Sequence, residues 1–140
     1  MKNKTECILV SSCLLGRNVR WHGKPVRPSY FVKKYLAEHP NVKVIEVCPE
    51  VLGGLPVPRP PVKSRRGKIL QTCEDKSMRN EVTGDDVTEY FVAGAEKTLA
   101  IAKKHKCKTA ILMKTSPSCS RTGITGKLLA ENGIEIISVF

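Results

Sequence analysis

Hydrophobic positions along this chain fall into short apolar runs separated by amphipathic or polar stretches. Residues 6–11 (ECILVS) are compact, apolar and partly β-branched, which predicts a buried strand. Pro28-Ser29 then introduces residues 30–37 (YFVKKYLA), where Phe31, Tyr35 and Leu36 at helical spacing predict an inward face. His39-Pro40 ends that run, and residues 42–47 (VKVIEV) predict a second strand. Residues 48–68 hold most of the prolines and several glycines and read as one long loop, a feature often tied to function. A short edge element is expected over 69–73, and Gly84-Asp85-Asp86 is a turn and cap signal. Residues 87–106 predict a long helix, with Tyr90 or Phe91, Gly94, Ala95, Leu99 and Ala102 on one side. A third strand over 109–113 (TAILM), a polar loop over 114–126, a short helix over 127–132 and a final strand over 133–140 complete the pattern.

Strands that alternate with helices imply crossover connections and a mostly parallel sheet. The expectation is an α/β fold: a single compact Rossmann-like three-layer domain over residues 1–140, with ligand-binding loops at the strand carboxyl ends. A chain of 140 residues suits one such core. No apolar run approaches the ~18 residues that span a bilayer, so no membrane partner is expected. The charged start of the chain is followed by an apolar run that stops at Ser11-Ser12, which argues against a signal peptide and for a cytoplasmic location.

The net charge of +11 is unevenly placed: residues 1–70 hold 14 basic and four acidic side chains, residues 71–140 ten and nine. Such an excess is either a solvated face or a surface that draws in polyanions such as RNA or smaller anionic substrates. Arg59, Lys63, Arg65, Arg66 and Lys68 concentrate it in the proline-rich segment and are the candidate RNA contacts.

The six cysteines do not follow a disulfide framework or a CxxC zinc pattern. Instead Cys13, Cys48 and Cys119 each lie just beyond a predicted strand, in loops that a parallel sheet brings to one edge. Three thiolates suit an iron–sulfur cluster with one open iron, or zinc completed by water; three small buried hydrophobes are the plain alternative. Cys7 inside the first strand and Cys107 at a helix–strand junction read as packing, and Cys73 stays unassigned. Around the three loops, Glu50 is a candidate proton-transfer group. Ser116 and Ser118 flank a turn proline, either binding substrate or capping the turn. Asn18, Arg20, Trp21 and His22 are candidates for the pocket mouth, and Gly53-Gly54 permits left-handed backbone or close approach.

Together these segments resemble the DUF523 family, which includes the thiouracil desulfurases and relatives acting on thiolated uridine in tRNA. The resemblance rests on Ser12-Cys13-Leu14-Leu15-Gly16, Arg20-Trp21-His22-Gly23, the run from Val47 through Cys48-Pro49-Glu50 and Gly53-Gly54 to Arg59, residues 83–88, and Lys114-Thr115-Ser116-Pro117-Ser118-Cys119. It implies a [4Fe–4S] cluster held by Cys13, Cys48 and Cys119, whose fourth iron takes sulfur from a thiolated pyrimidine as an extra sulfide while water supplies oxygen. Acid/base and positioning roles map by the same resemblance to Glu50 and Ser116. The implied partners are a thiolated pyrimidine small molecule or thiolated tRNA. Trp21-His22 replaces the family's tyrosine-aspartate, Ser120 replaces a glycine, and residues 120–126 form a shorter loop than usual. A non-enzymatic basic RNA-binding or iron–sulfur carrier protein, or a zinc-binding structural domain, are the alternative expectations.

Overall fold

The structure, a computed structural model, describes residues 6–19, 23–24, 27–57, 62–65, 68–71, 86–114, 116, 118–120 and 123–139. Four strands form a parallel sheet: β1 (Cys7–Ser11), β2 (Lys43–Val47), β5 (Thr109–Met113) and β6 (Glu135–Val139), in the order β2-β1-β5-β6. β1 and β5 are central and covered on both faces, so they are continuous apolar runs with Ile8, Leu9, Val10, Ala110, Ile111 and Leu112 fully buried. β2 and β6 are the edges and keep part of their surface in solvent. The sheet is the expected one, and Thr109–Met113 coincides with the strand predicted there.

Helix α1 (Tyr30–Glu38) joins β1 to β2, α3 (Thr88–Lys104) precedes β5, and α4 (Ile124–Glu131) joins β5 to β6. The chain steps one way from β1 to β2 and the other way from β5 to β6, so right-handed crossovers place α1 on one face and α4 on the other, with α3 packed on α4. The result is the predicted three-layer Rossmann-like arrangement. Ser29 caps α1 by accepting from the Val32 N–H. The Asp86 carboxylate accepts from the Thr88 N–H at 2.9 Å, starting α3 where the turn signal lay.

Several local expectations need correction. Within 48–68 the chain is not one loop: it forms the one-turn helix α2 (Pro49–Leu52) and the strand β3 (Val62–Arg65). β3 pairs antiparallel with β4 (Lys68–Gln71), so the expected edge element belongs to a separate hairpin. Ile69 and Val62 pack with Leu55, Val87 and Phe91, giving this hairpin its own small core against α3. On α1 the inward residue is Val32; Tyr35 and Leu36 pack partly, whereas Phe31 is exposed. α4 begins a turn before the predicted start. Of the two aromatics offered for the inward face of α3, Phe91 is the buried one.

Candidate active site

Open parallel sheets bind ligands beyond the strand carboxyl ends, where neighbouring connections leave in opposite directions. Here that switch lies between β1 and β5. Immediately after β1 the chain forms a 3₁₀ turn, Ser12–Leu15, which carries Cys13 and ends at Gly16 in the left-handed region (φ 88°). After β2, Cys48 is the N-cap of α2, and its thiol points at the Val19 carbonyl at 4.0 Å. Cys119 follows β5. All three lie at the same sheet edge, on neighbouring strands, as the sequence pattern anticipates.

A ring of serines builds the Cys119 loop. Ser116 Oγ accepts the N–H groups of Ser118 and Cys119, both at 3.2 Å, and lies 3.1 Å from Ser118 Oγ. Its hydroxyl therefore organises the turn, the capping use considered for it. Ser118, buried, donates to Glu50 Oε2 at 3.4 Å and stands 3.7 Å from the Cys119 sulfur. Two loops 68 residues apart in sequence thus meet through one hydroxyl. The first two N–H groups of α4 beyond Ile124, those of Thr125 and Gly126, donate to the Ser118 carbonyl at 3.0 and 3.1 Å. A side chain on Gly126 would meet the Ser120 carbonyl oxygen at 2.1 Å, so that glycine lets helix and cysteine loop touch.

Burial pushes the Cys119 thiol well above its ordinary pKa; the hydroxyls of Ser11 and Ser118 pull the other way, and nearby Cys48 pushes it further up. A thiol raised in this way stays protonated at neutral pH and is not a free nucleophile. Among the described residues no three His, Cys, Asp or Glu stand close enough to grip a single ion. Cys13 and Cys48 are half-buried and Cys119 is buried.

Glu50, 9% exposed, sits in the single turn of α2. That turn is held against α3 by two glycines facing each other. A Cβ on Gly94 would lie 1.8 Å from the Pro49 carbonyl oxygen, and one on Gly53 would lie 1.9 Å from that of Tyr90. Gly53 thus serves close approach and Gly54, at φ 105°, the left-handed backbone, the two uses expected of this pair.

Of the mouth candidates, Asn18 is exposed beside Val19, next to Cys48. Arg20, Trp21 and His22 lie outside the described residues, as do Arg59, Arg66 and Cys73. Lys63 and Arg65 are on β3, and Lys68 opens β4 as an exposed residue. Cys7 and Cys107 lie at the opposite, amino edge of β1 and β5 and pack into the core, as expected of them. Two contributors escaped the sequence reading. Ser11 accepts the Met113 N–H at 3.1 Å and holds the Cys119 thiol pKa down, and Gly94 seats α2. A serine ending a wholly apolar strand was the visible signal for the first.

Comparison with known proteins agrees with this geometry. A family model described as 2-thiouracil desulfurase matches residues 8–139. The uncharacterised protein YbbK of Bacillus subtilis (strain 168) is 34% identical over 146 residues, covering 94% of each chain. The solved structure of the [4Fe-4S]-dependent thiouracil desulfidase TudS (DUF523Vcz) superposes with a TM-score of 0.76 at 32% identity, over 95% of this chain and 90% of that one. Since the family model spans nearly every residue from the first strand to the last, the chain belongs to the 2-thiouracil desulfurase family.

Proposed function

We propose that this protein is an iron–sulfur-dependent desulfurase that replaces the sulfur of a thiolated uracil, as free base, nucleoside or tRNA nucleotide, with oxygen from water. Family membership and the likeness to the thiouracil desulfidase support the reaction class. The observation that carries it to particular residues is the Glu50–Ser118–Cys119 chain, which joins a buried carboxylate to a buried thiol through one hydroxyl. Cys13, Cys48 and Cys119 would hold the [4Fe–4S] cluster. When bound, it supplies an iron without a protein ligand, a Lewis acid with affinity for sulfur.

The remaining chemistry falls to the chain. Sulfur leaves the ring carbon as hydrosulfide, the C–S bond breaks, and a water oxygen bonds to that carbon; no electrons are gained or lost. Glu50 takes one proton of the attacking water and returns it to the departing sulfur, and the second passes to solvent as the carbonyl forms. Ser118 fixes the carboxylate, and Ser116 holds the turn that presents Ser118 and Cys119. Asn18, exposed beside Val19, meets the substrate at the mouth of the site.

Anaerobic reconstitution followed by iron and sulfide determination tests the cofactor, and loss of the thiocarbonyl absorption of 2-thiouracil tests the reaction. Protein with all three cysteines intact that retains no iron, or that binds only zinc when never exposed to air, would sink the proposal. A protein that holds the cluster and passes it on without touching any thiolated base would be a carrier instead.

A further inference from the structure

The most exposed large hydrophobic side chain among the described residues is Tyr30, 80% exposed in the first turn of α1. Lys33 and Lys34, both exposed, follow at three and four residues, so all three share one stripe of the helix. Arg27, also exposed, lies just before the helix cap. Beside Tyr30, Phe31 is 43% exposed and stacks on Tyr35 with ring centroids 6.3 Å apart. The helix start sits against the cluster loop: the Ser29 N–H donates to the Leu14 carbonyl at 2.8 Å, and a Cβ on Gly16 would meet Pro28 at 2.9 Å. Cys13 is in that same 3₁₀ turn.

From this placement we infer that the N-terminal half of α1 is a polynucleotide-docking surface, with Tyr30 and Phe31 stacking on unpaired bases and Arg27, Lys33 and Lys34 contacting phosphates. The inference deepens the desulfuration reading and rests on it, because it names single-stranded RNA around a thiolated uridine as the substrate class. Two observations favour RNA over a protein partner. An exposed aromatic on a rigid helix, flanked by cations, matches how single strands are bound without sequence preference. Arg27, Lys33 and Lys34 are all exposed around the ring, giving the patch the positive charge that a polyanion requires. The acids nearby do not cancel it: Glu46 is paired with Arg17 at 3.2 Å, and Glu38 stands at the far end of the helix.

Fluorescence anisotropy of a labelled oligouridylate of about ten nucleotides on the cluster-loaded protein tests this surface. Tyr30→Ala is expected to weaken binding roughly tenfold, the loss of one stacked base. Lys33→Ala with Lys34→Ala is expected to flatten the dependence of log affinity on log salt by about 0.7 per phosphate lost. Lys103→Ala with Lys104→Ala, an equal charge change at the C-terminal end of α3, is expected to weaken binding far less. Equal effects of the two lysine pairs, no effect of Tyr30→Ala, or no binding by the unmodified protein at low salt would overturn the inference. So would a dimer that Tyr30→Ala dissociates, since the patch would then serve a second copy. Turnover of free 2-thiouracil, assayed separately, distinguishes failure of the desulfuration reading from failure of this one.

Discussion

Replacing Gly94 by alanine sets two physical effects of opposite sign against each other. Gly94 lies in the interior of α3, where glycine is less favourable than alanine by about 1 kcal/mol, so propensity alone forecasts a more stable protein. The new methyl carbon, however, would stand 1.8 Å from the Pro49 carbonyl oxygen and 2.7 Å from its carbon. Ordinary contact begins near 3.4 Å, so α2 must retreat by about 1.6 Å. Backbone blocks it on both sides, with no flexible side chain to yield. Overpacking of this kind costs about 1–3 kcal/mol, which outweighs the propensity gain. A net loss of up to about 2 kcal/mol is expected, read as a lower urea midpoint at unchanged slope.

The functional loss should be larger than that stability loss. Cys48 and Glu50 flank Pro49, and the Ser118–Glu50 contact at 3.4 Å has no slack. A displacement of about 1 Å in a catalytic group costs on the order of a hundredfold in rate, so turnover of 2-thiouracil by folded Gly94→Ala protein should fall at least that far. Iron content, measured beside turnover, separates a lost ligand from a shifted carboxylate. A variant that is more stable than its parent and desulfurises at the parental rate would refute the close-approach argument.

Glu50→Gln keeps the shape of the carboxylate without its basicity and is expected to lower turnover by about 10²–10⁴ while iron content stays unchanged. Ser118→Ala should lower turnover without releasing iron, because the alanine frees Glu50 but leaves Cys119 in place; loss of iron instead would assign Ser118 to cluster retention. Burial, reinforced by neighbouring Cys7, pushes the Cys107 thiol up to about 11. A raised folded-state value stabilises fully below the unfolded value near 9 and is lost as pH rises toward 11. Urea midpoints should therefore fall from pH 9 to pH 11 less steeply in Cys107→Ala than in its parent, and equal slopes would contradict that burial effect.

Much of the scaffold was legible because burial on both sides of a parallel sheet writes itself as apolar runs. The cores of β1, β5 and α3 could be read directly, and so could the start of α1 after Pro28-Ser29. Cys13, Cys48 and Cys119 were legible for a related reason: once strands are placed, topology alone brings their following loops to one edge. The face of α1 was not, since Phe31 and Val32 are adjacent apolar residues and only packing against the sheet chooses between them.

α2 and the β3–β4 hairpin depended on tertiary structure throughout. A four-residue helix is too short to form by itself, because nucleation costs more than one turn of hydrogen bonds returns. α2 exists where Pro49 starts it and Gly53 and Gly94 let it lie against α3. The hairpin strand VKSR has little apolar content, and contacts of Val62 and Ile69 with Leu55, Val87 and Phe91 hold it in place. The link from Glu50 through Ser118 to Cys119 is likewise a product of the fold. Local pattern determines which residues are strand, helix or loop, because that choice follows from short-range burial and turn chemistry. Which carboxylate meets which thiol depends on contacts between distant segments, and those exist only after the sheet and its two helical layers have closed around them.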